Sequence, residues 1–226
     1  MFFPERITKI KPEYKVLEIG PGAHPHYRSD VLLELEYATE EEKIAQFGHQ
    51  VKLVSDKKIV FYNGIDFPFA DNEFDYVICS HVLEHVPDVK KFISEIYRVS
   101  KHGGYFEYPM IYYDYLYNID VHVNFLKFDG KTLKYLKKDK TPLSYFQPVQ
   151  NLFNYSLKNG YVSFVNDMLP YLIEGFEWTN KFDIKEAEGI TEITHPNGFE
   201  IPILKGKPEP TNKDLFKQIL YNIFKK

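Results

Sequence analysis

The sequence predicts an α/β fold, a mostly parallel sheet sandwiched by helices, with an inserted β-hairpin and helical lobe after the fifth strand. Three observations predict it. Short β-rich runs alternate with helical segments over the first half of the chain, which is the pattern of strands joined by helical crossovers. The second run, Asp30-Val31-Leu32-Leu33-Glu34-Leu35, is almost continuously apolar, as a strand buried on both faces of a parallel sheet must be. Beyond Tyr112 the alternation stops and an Asp-Gly pair, Asp129-Gly130, marks a tight hairpin.

Element by element, Tyr14 to Ile19 is the first strand, ended by Gly20-Pro21-Gly22, where glycine and proline force a turn. After the second strand, Thr39 and Glu42 make a capping box for a helix running through Ile44, Ala45 and Phe47. Lys58 to Tyr62 and Phe74 to Cys79 are the third and fourth strands. Asp88 caps a helix whose apolar residues Phe92, Ile93, Ile96, Tyr97 and Val99 recur at helical spacing, and Gly103-Gly104 closes it. Tyr105 to Tyr108 is the fifth strand.

In the second half, Val121 to Leu126 and Thr132 to Leu136 flank the hairpin turn. Helices are expected at about 143–159 and 164–174, a strand at Phe182-Asp183-Ile184, and a second hairpin at Pro196-Asn197-Gly198. From Thr211 the residues Leu215, Phe216, Ile219, Leu220, Ile223 and Phe224 fall on one side of an amphipathic helix. That face is expected to dock on its own domain, and it would also serve a homodimer. The whole of 1–226 reads as one domain: a ligand-binding core at 14–109, an insert that shapes the acceptor side at 110–175, and C-terminal strands and helix at 176–226.

Composition narrows the function. The 226 residues are 44% hydrophobic and 27% charged, ordinary globular usage. A net charge of −4 supplies no bulk attraction for a phosphate backbone, so nucleic acid is disfavoured as a partner. One cysteine, Cys79, cannot make an internal disulfide, the first residues lack a signal-peptide core, and no apolar run is long enough to span a membrane. A cytoplasmic protein is expected.

The chemistry-bearing residues begin at the end of the first strand with Glu18-Ile19-Gly20-Pro21-Gly22-Ala23. Glycines there let the backbone approach a ligand at the carboxyl edge of the sheet, where open α/β sheets bind them. A dinucleotide fingerprint needs a third glycine at position 25, which is Pro25. An acid at the end of the second strand, Glu34 or Glu36, can accept hydrogen bonds from both ribose hydroxyls, and Glu34 is preferred because a charge within an apolar run needs a partner. A third block follows, from Asn63-Gly64-Ile65-Asp66-Phe67-Pro68-Phe69 through Phe74-Asp75-Tyr76-Val77-Ile78-Cys79-Ser80-His81-Val82-Leu83-Glu84-His85.

Together these blocks resemble the widespread class I, Rossmann-like S-adenosylmethionine (SAM)-dependent methyltransferases, type 11, over residues 14–109. The resemblance implies SAM as cofactor, with Glu18, Gly20 and Gly22 at its methionine end, Glu34 on the ribose, Asn63 and Ile65 beside the adenine, and Ser80 and His81 closing the pocket. Asn63 stands where the family often has aspartate, and His24 where many members have a third glycine. SAM already carries an activated methyl group, so no nucleophilic side chain is required. A hydroxyl acceptor would be helped by a base, and His122 and Asp120 in the insert are the candidates. The expected reaction is O- or N-methylation of a small molecule or glycan.

Three other readings compete: a SAM- or nucleoside-binding regulatory protein without methyl transfer, an NAD-binding oxidoreductase, and a zinc hydrolase. The last rests on His81-Val82-Leu83-Glu84-His85, which fits a His-x-x-Glu-His zinc pattern. Pro87 would cut short the helix that pattern needs, and no metal is expected.

Overall fold

The computed structural model describes residues 1–39, 41, 42, 44, 55–140, 147–158 and 168–194. The described residues belong to one compact unit, 1–194. Its sheet has six strands: β1 (Val16–Ile19), β2 (Val31–Leu35), β3 (Lys58–Tyr62), β4 (Tyr76–Ser80), β5 (Gly104–Pro109) and β8 (Ile173–Trp178). Their order is β3-β2-β1-β4-β5-β8. The first five run parallel and β8 is antiparallel to β5. The order reverses between β1 and β4, which opens a crevice at the carboxyl edge of those two strands. Every residue of β1, β4 and β5 is buried, which explains their apolar runs.

One face of the sheet packs on helix α1 (Val89–Val99), whose Val89, Phe92, Ile93, Ile96 and Val99 are buried. Its N-cap is Asp88, whose carboxylate accepts from Lys91 N at 2.9 Å. On the other face Met1, Ile7, Ile10 and Tyr14 pack on Val16, Tyr76, Ile78 and Tyr105. Half of the capping box expected at Thr39 is present: Glu42 N donates to Thr39 Oγ1 at 3.2 Å, but the Glu42 carboxylate accepts from Ala38 N rather than from Thr39 N. Residues 41, 42 and 44 are helical.

The region after β5 builds a second sheet, β6 (Asn124–Phe128), β7 (Thr132–Lys137) and β9 (Asp183–Glu186), in the order β6-β7-β9. β6 and β7 form the hairpin expected from Asp129-Gly130, and the Asp129 carboxylate accepts from Lys131 N and Thr132 N across the turn. The first strand of that hairpin lies later than the expected Val121 to Leu126, because Val121 to Val123 belong to the connection that carries His122. Phe74 makes only an isolated bridge to Ser100, so β4 starts at Tyr76.

Two elements differ from expectation. Ile111–Tyr117 is a short helix, α2. The helix expected to reach residue 174 stops at 172 and continues as β8. β8 lies beside β5 because small and aromatic residues interlock there: a Cβ on Gly175 would sit 2.3 Å from the Tyr105 hydroxyl. Phe176 stacks on Phe128 of the second sheet with ring centroids 3.8 Å apart. Helix α3 (Gln147–Lys158) falls within the expected 143–159. The second hairpin and the amphipathic helix after Thr211 lie outside the described residues.

Candidate active site

A cavity of about 660 Å³ opens at the carboxyl edge of β1 and β4. Four chain segments meet there: the turn after β1 with the end of β2, the end of β3 with Gly64, the turn 80–87 after β4, and α2 with its connection to β6. Met1 and Phe2 also line it.

At one end the wall is largely backbone. Gly20 and Gly22 both have φ of +60°, a conformation that side chains disfavour. A Cβ on Gly20 would lie 2.6 Å from Val82 Cγ2, whereas one on Gly22 would meet nothing within 4 Å. Gly20 N donates to Leu33 O at 2.9 Å, tying the turn to β2. Glu18 is not among the lining residues. It lies beneath the turn, accepting from His26 N at 2.7 Å and Ser29 Oγ at 2.6 Å, and so holds the loop in shape. Burial raises its carboxyl above the ordinary range against the pull of those two donors.

Glu34 lines the cavity and is buried, while Glu36 is exposed. One Glu34 oxygen accepts from Leu35 N at 3.0 Å. Tyr37 stands close by, its phenol pushed up to about 12 by burial and by the Glu34 charge. Asn63 and Ile65 flank Gly64, which lines the cavity, but do not line it themselves. The Asn63 side-chain Oδ1 accepts from Ile65 N and Asp66 N, which shapes the rim.

At the other end the wall is ionic. Ser80 and His81 both line it as expected. His81 has φ of +56°, strained for a residue with a side chain. Its imidazole lies between two buried carboxylates, Nδ1 3.4 Å from Glu84 and Nε2 3.3 Å from Glu107. Burial opposes charge on His81, but the two carboxylates prevail and raise it. Glu107, at the end of β5, accepts from Phe2 N, Phe3 N, Ser80 Oγ and Tyr105 OH at 2.7 to 3.1 Å. Burial alone would raise it; His81 and these donors push it down to about 2.

Next to this pair sit His85 and His122, their rings 4.9 Å apart and edge to face. The His122 Nδ1 is 2.7 Å from Asp114 Oδ2, and Asp114 is paired with Lys138 at 3.0 Å. Asp120 is exposed and does not line the cavity. The His-x-x-Glu-His segment forms a turn, with His85 N donating to Val82 O, so His81 and His85 do not share a helix face.

Sequence reasoning did not single out Glu107 or Asp114 as site residues. A charge inside the apolar run Tyr105 to Tyr108 is the signal that marks Glu107, by the argument that selected Glu34. Asp114 has no such signal, since only the turn of α2 brings it to His122.

An adenosyl group fits the residues present. Gly22 leaves open space where a side chain would stand, and the buried residue Glu34 lines the cavity. No lysine or arginine side chain is among the described lining residues.

Residues 31–107 match the family model described as a methyltransferase domain. A demethylmenaquinone methyltransferase from Listeria welshimeri is 37% identical over 87 residues, 38% of this chain and 34% of that protein. An uncharacterised protein from Methanocaldococcus jannaschii is 32% identical over 101 residues, 44% of this chain and 46% of the other. The chain thus matches between about a third and a half of the length of these relatives. Among solved structures, the YcgJ protein from Bacillus subtilis is 23% identical with a TM-score of 0.33, covering 45% of this chain and 47% of its own. A SAM-dependent methyltransferase from Aquifex aeolicus is 20% identical with a TM-score of 0.32, covering 46% and 62%. Over residues 31–107 the chain is thus similar to methyltransferase domains, a family whose cofactor is SAM.

Proposed function

We propose that the protein is a SAM-dependent methyltransferase acting on a small molecule or glycan through an oxygen or nitrogen atom. The observation that carries the reading is the cavity itself. One end offers glycine backbone and a buried carboxylate, and the other a cluster of titratable side chains. Its volume of about 660 Å³ suits a nucleoside-sized ligand with room for a second group.

In this reading Gly20 and Gly22 let the cofactor approach the turn after β1, and Glu34 accepts from its ribose hydroxyls. Asn63 and Ile65 border the adenine from the rim, and Glu18 acts indirectly by fixing the loop. SAM held by these residues would supply an activated sulfonium methyl, so the chain's own residues need only hold the acceptor lone pair toward it and leave room for S-adenosylhomocysteine to depart. Ser80 and His81 form part of the cavity wall, and Glu107 behind them holds both in place. His122, oriented by Asp114, presents Nε2 at the acceptor end, where it can take a proton or a cation. Asp120, being exposed, has no part in this account.

Calorimetric titration with S-adenosylhomocysteine and with NAD tests the proposal. Micromolar binding of the sulfur nucleoside and none of NAD is expected. Binding of NAD alone would turn the reading to an oxidoreductase, and binding of neither would remove the cofactor assignment. S-adenosylhomocysteine binding with no turnover across acceptor classes would favour a regulatory nucleoside-binding protein.

A further inference from the structure

We propose that Glu84, His85 and His122 form a binding site for one divalent transition-metal ion in the cavity wall, its open coordination positions facing the acceptor. The metal site stands on its own geometry; only its role toward an acceptor rests on the methyl-transfer reading.

One donor atom from each of the three residues lies within 4.8 Å of the others. Contraction of about an ångström would bring them to ligand spacing around an ion with bonds of ~2.0–2.2 Å. Both imidazoles are already oriented as metal ligands are. His85 Nδ1 is 3.0 Å from Val121 O, and His122 Nδ1 is 2.7 Å from Asp114 Oδ2. A ring nitrogen held as a donor to a carbonyl or carboxylate leaves Nε2 as the lone-pair atom, and such outer partners fix the tautomer of ligating histidines.

Glu84 supplies the independent observation. Its side chain is 1% exposed, and neither oxygen has a hydrogen-bond partner of regular geometry among the described residues. Its neighbours are His81, shared with Glu107, and His85 Nε2 at 3.8 Å. Buried carboxylates are hydrogen-bonded, paired or metal-bound, and Glu84 has only a shared pairing. Glu107, by contrast, is fully supplied with donors.

The backbone holds the three ligands in place. Glu84 O accepts from Val123 N at 2.7 Å and Asn124 N at 3.0 Å, stapling the turn after β4 to the segment bearing His122. Two imidazoles and one carboxylate select a first-row ion such as Mn²⁺, Fe²⁺, Co²⁺ or Zn²⁺ over Mg²⁺ or Ca²⁺, which prefer all-oxygen sets. Three protein ligands leave positions that an oxygen or nitrogen of the acceptor can fill.

The test strips the full chain with chelator and titrates it with Co²⁺ alone, following visible absorption and bound metal per chain. One Co²⁺ per chain is expected. His122→Ala and Glu84→Gln should weaken binding at least ~100-fold, and Asp114→Asn, which removes only the orienting carboxylate, by ~10–100-fold. His102→Ala, at an exposed histidine remote from the cavity, should bind as the parent does. Thermal melting by circular dichroism verifies that each variant is folded. The proposal is overturned if the parent binds no Co²⁺, or if folded His122→Ala and Glu84→Gln bind it as the parent does. S-adenosylhomocysteine titration of the metal-free protein separates the two readings, since either site can fail while the other stands.

Discussion

Glu18 and Glu107 are buried carboxylates at the carboxyl ends of two strands of one sheet, and their protonation moves in opposite directions. Burial raises Glu18, whose two donors are a backbone amide and a hydroxyl. The same burial at Glu107 is overcome by His81 together with two amides and two hydroxyls, and its carboxyl falls to about 2. Desolvation therefore does not decide the charge of a buried acid; the donors gathered around it do. The two ends of the cavity divide along this line. The glycine end is built from backbone and tolerates a weakly supported acid, whereas the histidine end is an ionic network assembled from segments far apart in sequence.

The largest expected effect breaks the histidine end by acid. A group depressed from 4.5 to about 2 contributes stability that is complete above 4.5 and is lost as pH falls toward 2. The gap corresponds to on the order of 3 kcal/mol, shared with His81. Urea unfolding between pH 6 and pH 2.5 should show this loss, and Glu107→Gln should flatten it while lowering stability at pH 6. Glu18→Gln should cost less at pH 6, because it also removes an unfavourably buried charge. Equal losses for the two variants would contradict the comparison.

A slightly smaller effect comes from the joint between the turn after β4 and the insert. Asn124 is 1% exposed and donates from Nδ2 to Leu83 O at 3.0 Å and Val86 O at 2.7 Å. Asn124→Ala leaves two buried carbonyls short of a donor and should cost about 2–3 kcal/mol in chemical denaturation. Because the joint serves the histidine end, S-adenosylhomocysteine affinity of the folded variant should stay within a few-fold of the parent. A large drop in that affinity would mean that the two ends are not separable.

This division also explains what the sequence made legible. The glycine end is local: Gly20, Gly22 and Glu34 sit at strand ends that alternation and turn chemistry locate, and all three line the cavity. β1, β2, β4 and β5 were legible in the same way, since strands buried on both faces leave apolar runs. The histidine end is not local. His122 meets Asp114 only because Ile111 to Tyr117 folds as a helix, and Ile-Tyr-Tyr-Asp-Tyr-Leu-Tyr has the aromatic content of a strand. β8 was illegible because Gly175 and Phe176 answer to Tyr105 and Phe128, which belong to other elements.

At the glycine end, Glu34→Ala removes the acceptor for two ribose hydroxyls. Charged hydrogen bonds of this kind are worth about 1.5–3 kcal/mol, and part of that is regained by water, so S-adenosylhomocysteine binding should weaken by roughly 30–100-fold in calorimetry. The variant also loses the bond from Leu35 N, so affinity is compared on protein shown to be folded by circular dichroism. Unchanged affinity would take the ribose assignment away from Glu34.

The smallest effect sharpens the comparison most, because it separates conformation from space within one turn. At Gly20 a methyl group meets two penalties: φ of +60° disfavours any side chain, and Val82 Cγ2 stands 2.6 Å from the new atom. Val82 is stiff at χ1, so the contact is relieved only by moving the turn after β4. Gly22 has the same φ, yet nothing stands within 4 Å of its added Cβ. Gly20→Ala should therefore lose about 1–2 kcal/mol of stability, and Gly22→Ala about 1 kcal/mol or less. Their order should invert for ligand binding, since a methyl at Gly22 occupies cavity space while one at Gly20 presses on protein. If both variants lost stability and affinity in parallel, the turn would be acting through backbone conformation alone, and the open space at Gly22 would not be where the cofactor sits.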